Sequence, residues 1–230
     1  MDLALFLNGS PPTVPTAQQI ASADPKSWPA QLIDLAGFIE EALPSRKGDS
    51  AEQEAQRCRL LVLCIGAKLG GLQLYVPYKS WDSPGDVYER LIAEAVGLTL
   101  DEAIGVIDVE NICRVLREDY LTKESWVGRV RLIAACAAVF FHEEESHRLT
   151  ELVRATLTGF ARFGGGRQWY LPNADVLLKA IRTAHAYELY VEGTTIPELA
   201  YRCGVSVTSM YRAIDHERKR RRAKRAVLIA

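Results

Sequence analysis

The 230-residue chain has no apolar run approaching the roughly 20 residues that a bilayer-spanning helix needs. Its first residues, Met1 to Phe6, also lack the basic start and sustained apolar stretch of a secretion signal, so a cytoplasmic location and no membrane partner are expected. Metal chemistry has little to work with. Among five cysteines there is no Cys-x-x-Cys pair, none of the four histidines stands at a zinc-ligand spacing from them, and the expectation is reduced core thiols. His142-Glu143-Glu144-Glu145-Ser146-His147 sets its histidines five apart, about 140° around a helix, where a zinc-protease pair needs four; a solvated acidic turn is expected. Gly164-Gly165-Gly166 is not followed by the Gly-Lys-Ser/Thr of a phosphate loop, and no serine, cysteine or carboxylate constellation stands out. The expected class is therefore not an enzyme, with no cofactor and no metal.

Net charge is also almost absent, at −1, until it is divided along the chain. Residues 218–225 hold seven of the 28 Lys and Arg residues, which leaves 21 basic against 29 acidic side chains elsewhere, a net of −8. Charge is segregated, with the basic end last. With 48% hydrophobic residues, the remainder can bury the core of one large domain or two small ones.

Residues 7–26 contain Asn-Gly, Pro-Pro and scattered Ser and Thr without periodicity, which reads as a flexible arm over 1–27. Beyond it, apolar residues recur at helical spacing, as in Leu32, Leu35, Ala36 and Ile39, or Leu61, Val62, Ile65 and Leu69, or Leu149, Leu152, Val153, Leu157 and Phe160. Superimposed on this is a repeat. Gly70-Gly71-Leu72-Gln73-Leu74-Tyr75-Val76-Pro77 returns as Gly165-Gly166-Arg167-Gln168-Trp169-Tyr170-Leu171-Pro172, with five of eight positions identical. Each copy follows an amphipathic helix and precedes another, expected at about 84–96 and 174–191. Within each octet the alternation predicts a short strand, with Gln73 and Tyr75, or Gln168 and Tyr170, opposite the apolar residues. A lone strand of this size cannot stand, so Gln73 and Tyr75 are expected to pair with the counterpart strand, in this chain or in a second one. The resulting ribbon could present Gln168 and Tyr170 to a DNA groove.

From Thr195 to His216 the spacing is that of a helix-turn-helix. Thr195 and Glu198 form an expected capping box, Ala200 is small where two helices cross, Gly204 permits a left-handed turn, and Val205, Met210 and Ile214 supply the apolar side. The second helix then presents Ser206, Val207, Thr208, Ser209, Tyr211 and Arg212 as candidate major-groove contacts. Arg218, Lys219, Arg220, Arg221, Arg222, Lys224 and Arg225 follow as candidate phosphate contacts. Aligning Thr99-Leu100-Asp101-Glu102 with Thr195-Ile196-Pro197-Glu198 makes residues 84–118 a first copy of this element, two residues short in the turn. Its second helix opens Asp108-Val109-Glu110-Asn111, and 84–118 carry three basic and eight acidic side chains, a surface that phosphate repels.

Gly-Gly-x-Gln-x-Tyr-Leu-Pro, then Pro-Glu-Leu-Ala-x-Arg-x-Gly-Val-Ser and Met-Tyr-Arg-Ala-Ile, resemble the Mor transcription activator family of Mu-like bacteriophages, well over residues 146–217 and more weakly over 51–118. The resemblance implies a helical dimerisation domain whose strands pair between subunits, a C-terminal helix-turn-helix, binding to a promoter, and recruitment of host RNA polymerase. It places Gln168 and Tyr170 toward the minor groove and the helix from Ser206 in the major groove, in a bacterial, nucleoid-associated setting. The usual member has one module about half this length. The expectation is thus a mainly α protein with short strands: arm 1–27, a degenerate Mor-like module 28–120, a Mor-like module 121–217, and a basic tail 218–230. Double-stranded DNA is the expected partner, RNA polymerase a further one, and an internal pseudo-dimer or a homodimer the expected assembly. The competing expectation is a protein-interaction module that pairs with and antagonises another regulator.

Overall fold

The computed structural model describes residues 6, 16, 19–20, 28–44, 50–77, 86–119 and 126–229, without the side chains of Asp86, Val109, Asp119, Val176 and residues 224–229. Among these the order is α1 (Ala30–Ala42), α2 (Ala51–Leu69), β1 (Gln73–Tyr75), α3 (Asp86–Gly97), α4 (Leu100–Val106) and α5 (Val109–Asp119). Then come α6 (Val127–Phe140), α7 (Ser146–Gly164), β2 (Gln168–Tyr170), α8 (Asp175–Val191), α9 (Ile196–Arg202) and α10 (Val207–Ile229). The fold is mainly α with short strands, as the patterning predicts. The same sequence of elements, α-α-β-α-α-α, occurs twice, and α2 and α7 begin and end at residues 95 apart, as do β1 and β2.

The chain divides into two compact units. The first holds Trp28–Ala174 together with Met1–Leu7; the second holds Asp175–Ala230 together with Asn8–Ser27. Most of the arm 1–27, and Ser83-Pro84 before α3, lie outside the described residues. Where the arm is described it is packed: Phe6 is buried with its ring edge-on to Phe140, Ile20 is buried, and Thr16 and Gln19 exchange capping hydrogen bonds.

In the first unit α1 packs on α7 and on α2, while α6 is met by α2, α3, α4, α5 and α7. That placement follows from composition: α6, Val-Gly-Arg-Val-Arg-Leu-Ile-Ala-Ala-Cys-Ala-Ala-Val-Phe, is apolar around nearly its whole circumference, and every residue from Leu132 to Phe140 is buried. Around it, Arg154 on α7 grips Glu89 on α3 through two hydrogen bonds of 3.2 and 2.8 Å. α2 starts on a complete capping box between Ser50 and Gln53.

The two strands form one antiparallel ribbon, Gln73 opposite Tyr170, Leu74 opposite Trp169 and Tyr75 opposite Gln168. Pairing therefore occurs within the chain. Its hydrogen bonds are reciprocal: the Gly71 N–H donates to the Leu171 carbonyl at 2.8 Å, and the Gly166 N–H, 95 residues on, donates to the Val76 carbonyl at 2.9 Å. Both donors need a left-handed backbone, with φ of 85° at Gly71 and 75° at Gly166, which is why the repeat keeps the second glycine of each pair. Leu74, Val76 and Leu171 are buried, and Trp169 packs edge-on to Phe163 at 4.9 Å.

The thiols sort by depth. Cys58, Cys64 and Cys136 are buried, whereas Cys203 is half-buried and Cys113 is exposed, so the core expectation holds for three of the five. Burial pushes Cys58 and Cys136 up to about 12 and Cys64 well above its ordinary value, disfavouring the reactive thiolate. A maleimide pulse on the native chain should label Cys113 first, with Cys58, Cys64 and Cys136 labelling only after denaturation. Peptide mapping of the pulse reads this directly, and early label on Cys64 would contradict the packing described.

Close approach of α1 and α7 depends on Gly159, where an added Cβ would lie 2.7 Å from the Ile39 Cα. Backbone cannot step aside as a side chain can, so Gly159→Ala should cost about 1–3 kcal/mol and lower the melting temperature by several degrees. Gly37→Ala, in mid-α1 with open space around it, should leave the melting temperature unchanged or raise it. Thermal unfolding of the two variants checks the pair.

Candidate nucleic-acid interface

In the second unit, α9 and α10 pack on each other and on α8. Ala186, Ile196, Leu199, Ala200, Met210 and Ile214 make a small core, with Tyr187, Leu189, Tyr190 and Cys203 against it. Gly204, with φ of 63°, turns the chain between α9 and α10, and the Val205 N–H closes the turn on the Ala200 carbonyl at 3.0 Å. The expected cap on α10 is present: the Ser209 N–H donates to Ser206 Oγ at 3.1 Å, and the two hydroxyls lie 2.8 Å apart.

Two details differ from expectation. Thr195 stands at the N-cap of α9 but makes no side-chain capping bond, and the Glu198 carboxylate, which would complete the box from the other side, is turned to an ion pair with Arg202 one turn on. The complete box forms in the first copy, where Thr99 and Glu102 cap α4 reciprocally. Val205, expected on the apolar side, is 44% exposed, since the turn carries it past the contact that Met210 and Ile214 make.

All six residues expected in the major groove are exposed. Ser206 and Ser209 also serve the cap, leaving Val207, Thr208, Tyr211 and Arg212 as the outward face one and two turns into the helix. Tyr211 is 57% exposed, and Tyr201 on α9, an aromatic that spacing alone did not single out, is 88% exposed. Such faces combine a hydroxyl, a guanidinium and methyl groups, the chemistry that base edges and thymine methyls accept.

The basic run is not a separate tail, because α10 continues without a break to Ile229. Part of the run is already engaged. Arg220 and Arg221 donate to the buried Glu217 at 2.7–2.9 Å, Arg221 also reaches Glu188 on α8 at 3.1 Å, and its guanidinium lies 4.7 Å from the Tyr187 ring centroid. Arg218 donates to the Tyr190 hydroxyl at 3.2 Å, and Lys219 pairs with Asp215 at 2.7 Å. Arg222 is exposed; the side chains of Lys224 and Arg225 lie outside the described residues. Glu217, which the sequence reading passed over, is the buried acid that ties Arg220 and Arg221 along α10, while Arg221 and Arg218 join the run to α8 through Glu188 and Tyr190. Its signal was available: a glutamate three and four residues before arginines on one helix.

Gln168 and Tyr170 are exposed on the ribbon, Tyr170 at 64%, while Gln73 and Tyr75 are half-buried on the facing strand. The Gln73 amide donates to the Gln168 side-chain oxygen at 2.9 Å, joining the two equivalent residues of the repeat. The ribbon lies in the first unit and the helix-turn-helix in the second.

The corresponding pair in the first copy has a different surface. Residues 107–108 separate α4 from α5, whereas residues 203–206 separate α9 from α10, and no positive φ occurs in the shorter turn. Asp108, Glu110 and Glu118 are exposed there, and Arg114 pairs with Glu118 at 3.7 Å.

Residues 137–227 match the Mor transcription activator family. No curated protein and no solved structure matches the chain. The Mor match runs from within α6 through β2 and the helix-turn-helix, and it takes in residues 218–225, so the basic run belongs to the matched segment. The first half of the chain lies outside it. The described residues contain no cluster of histidine, cysteine and carboxylate able to hold a metal, and no helix among them is long and apolar enough to cross a membrane.

Burial raises the Glu217 carboxyl, but hydrogen bonds from Arg220 and Arg221 outweigh it and hold the group below the usual carboxylate range. A depressed folded value stabilises fully above the unfolded value near 4.3, and that contribution disappears as pH falls through the folded value. Glu217→Gln should therefore lower the melting temperature at pH 7. The gap should narrow only as pH falls from the unfolded value through the depressed folded value, where the wild type also acquires a neutral side chain. Because both guanidiniums reach solvent, the loss at neutral pH should be modest, of order 1 kcal/mol.

Proposed function

We propose that the chain is a sequence-specific, double-stranded-DNA-binding transcription regulator of phage or prophage origin, acting in the bacterial cytoplasm at the nucleoid as an activator that recruits host RNA polymerase. The observation that carries this is the α9–α10 pair inside the Mor-matching segment. One side of α10 is buried through Met210 and Ile214, and the other presents Val207, Thr208, Tyr211 and Arg212 to solvent. In this reading α10 enters the major groove from its capped end. Lys219, Arg222, Lys224 and Arg225 approach phosphates, with Arg218 and Arg221 holding α10 against α8, Arg220 held by Glu217, and all three contributing charge at longer range. Gln168 and Tyr170 supply minor-groove contacts from the ribbon. The 28–120 segment is a second, degenerate Mor-like module, supported by the doubled element order and by reciprocal strand pairing.

A second reading has one observation in its favour. The exposed acids of α5 suit a basic protein partner better than DNA, so the first half could pair with and antagonise another regulator.

Selection of the wild type and Arg212→Ala against random duplexes at two salt concentrations separates the readings. A motif should emerge with the wild type, and the variant should bind it about 5- to 150-fold more weakly, as expected for loss of about 1–3 kcal/mol of direct readout. Salt-sensitive binding that ignores the substitution would leave only non-specific contact by the basic run and favour the interaction module.

A further inference from the structure

An isologous dimer interface is recognised by reciprocity: residue i of one copy meets residue j of the other, and j meets i. The ribbon has this reciprocity inside a single chain. Gln73 faces Tyr170, and Tyr75 faces Gln168, residues that exchange roles under the 95-residue offset, with Leu74 and Trp169 at the centre. The outer bonds repeat it, Gly71 to Leu171 and Gly166 to Val76, as does the side-chain bond between Gln73 and Gln168. The pairing groups on the facing edges of both strands are therefore spent on each other, and a second chain has no vacancy to fill at this interface.

The two helix pairs that follow are not equivalent. α10 leads with Ser206, Val207, Thr208 and Ser209, continues to Tyr211 and Arg212, and then runs into a basic stretch. α5 is preceded by Asp108, exposes Glu110 and Glu118, ends at Asp119, and is reached by a turn two residues shorter without a left-handed glycine. Acids at the start of a would-be reading helix meet phosphate with the wrong sign.

We infer that the chain is a self-contained pseudo-dimer that binds DNA as a monomer with α10 as its one major-groove reading helix, and that its target is a single non-palindromic site, not an inverted repeat. The inference rests on the DNA-binding reading above and adds its stoichiometry and the symmetry of its target. A two-headed dimer reads half-sites one helical turn apart; one head leaves the second half-site without a reader.

The test uses the full chain. Its free state should sediment at the 25.6 kDa of one chain. The motif selected from random duplexes should lack dyad symmetry, and native mass spectrometry of a duplex carrying one motif should show one chain per duplex. Adding a second, inverted motif one turn away should give two independent binding events. Asp108→Asn combined with Glu110→Gln should leave the selected motif unchanged. A dyad-symmetric motif, two chains on one motif, or a motif altered by the α5 substitutions would overturn the inference while leaving DNA binding intact. Failure of the DNA-binding reading looks different: no motif is enriched at all, and the inference falls with it.

Discussion

Two three-residue strands in water would not hold together, because so few hydrogen bonds cannot offset the entropy of ordering the ribbon. What stabilises this pair is its backing. Leu74, Val76 and Leu171 are buried beneath it, Trp169 is wedged against Phe160 and Phe163, and α2 and α7 deliver the strands through left-handed glycines that no other residue would adopt cheaply. The rest of the first unit follows from bringing those two ends together. α2 and α7 each run directly into a strand, and α1 and α6 each pack on both of them. α6, buried by neighbours on several sides, must be apolar nearly all round.

That constraint also explains which features were legible beforehand. The octet repeat, its alternation and the helical stripes all express local periodicity, so the strands, the helices before and after them and the mainly α class could be read from residues alone. The helix-turn-helix was legible for the same reason: Ala200, Gly204, Met210 and Ile214 are fixed by a short loop and by one packing face. What could not be read was tertiary. Intrachain and interchain pairing present identical local sequence, since the 95-residue spacing is compatible with either; only the fold distinguishes them.

The misread details share a cause as well. A Thr-x-x-Glu pattern offers a capping box, yet at Thr195 the glutamate has a competing partner, Arg202, one turn along, while at Thr99 the position four after Glu102 is Val106 and the box closes. Likewise, seven positive charges in eight residues read as a tail for phosphate. Here the preceding Glu217 and the α8 residues Glu188 and Tyr190 convert part of the run into a structural seam. In both cases a local motif was outbid by a neighbour whose relevance depended on helix phase or on a second helix.

The seam bears on how steeply DNA affinity should depend on salt. Each phosphate neutralised releases counterions, and the slope counts such contacts. A run of seven cations with every side chain free would give a steep dependence. With Arg220 and Arg221 sharing the Glu217 carboxylate, and Arg221 also shared with Glu188, part of that charge is compensated before DNA arrives. Arg221 and Arg218 also join α10 to α8, so they order that helix in the free protein, which on the proposed reading reduces the entropy lost on binding DNA. On the proposed reading the basic run thus exchanges some electrostatic reach for pre-organisation, and with one reading helix a fixed helix contributes more to discrimination between sequences than a longer list of phosphate contacts, which attract every sequence alike.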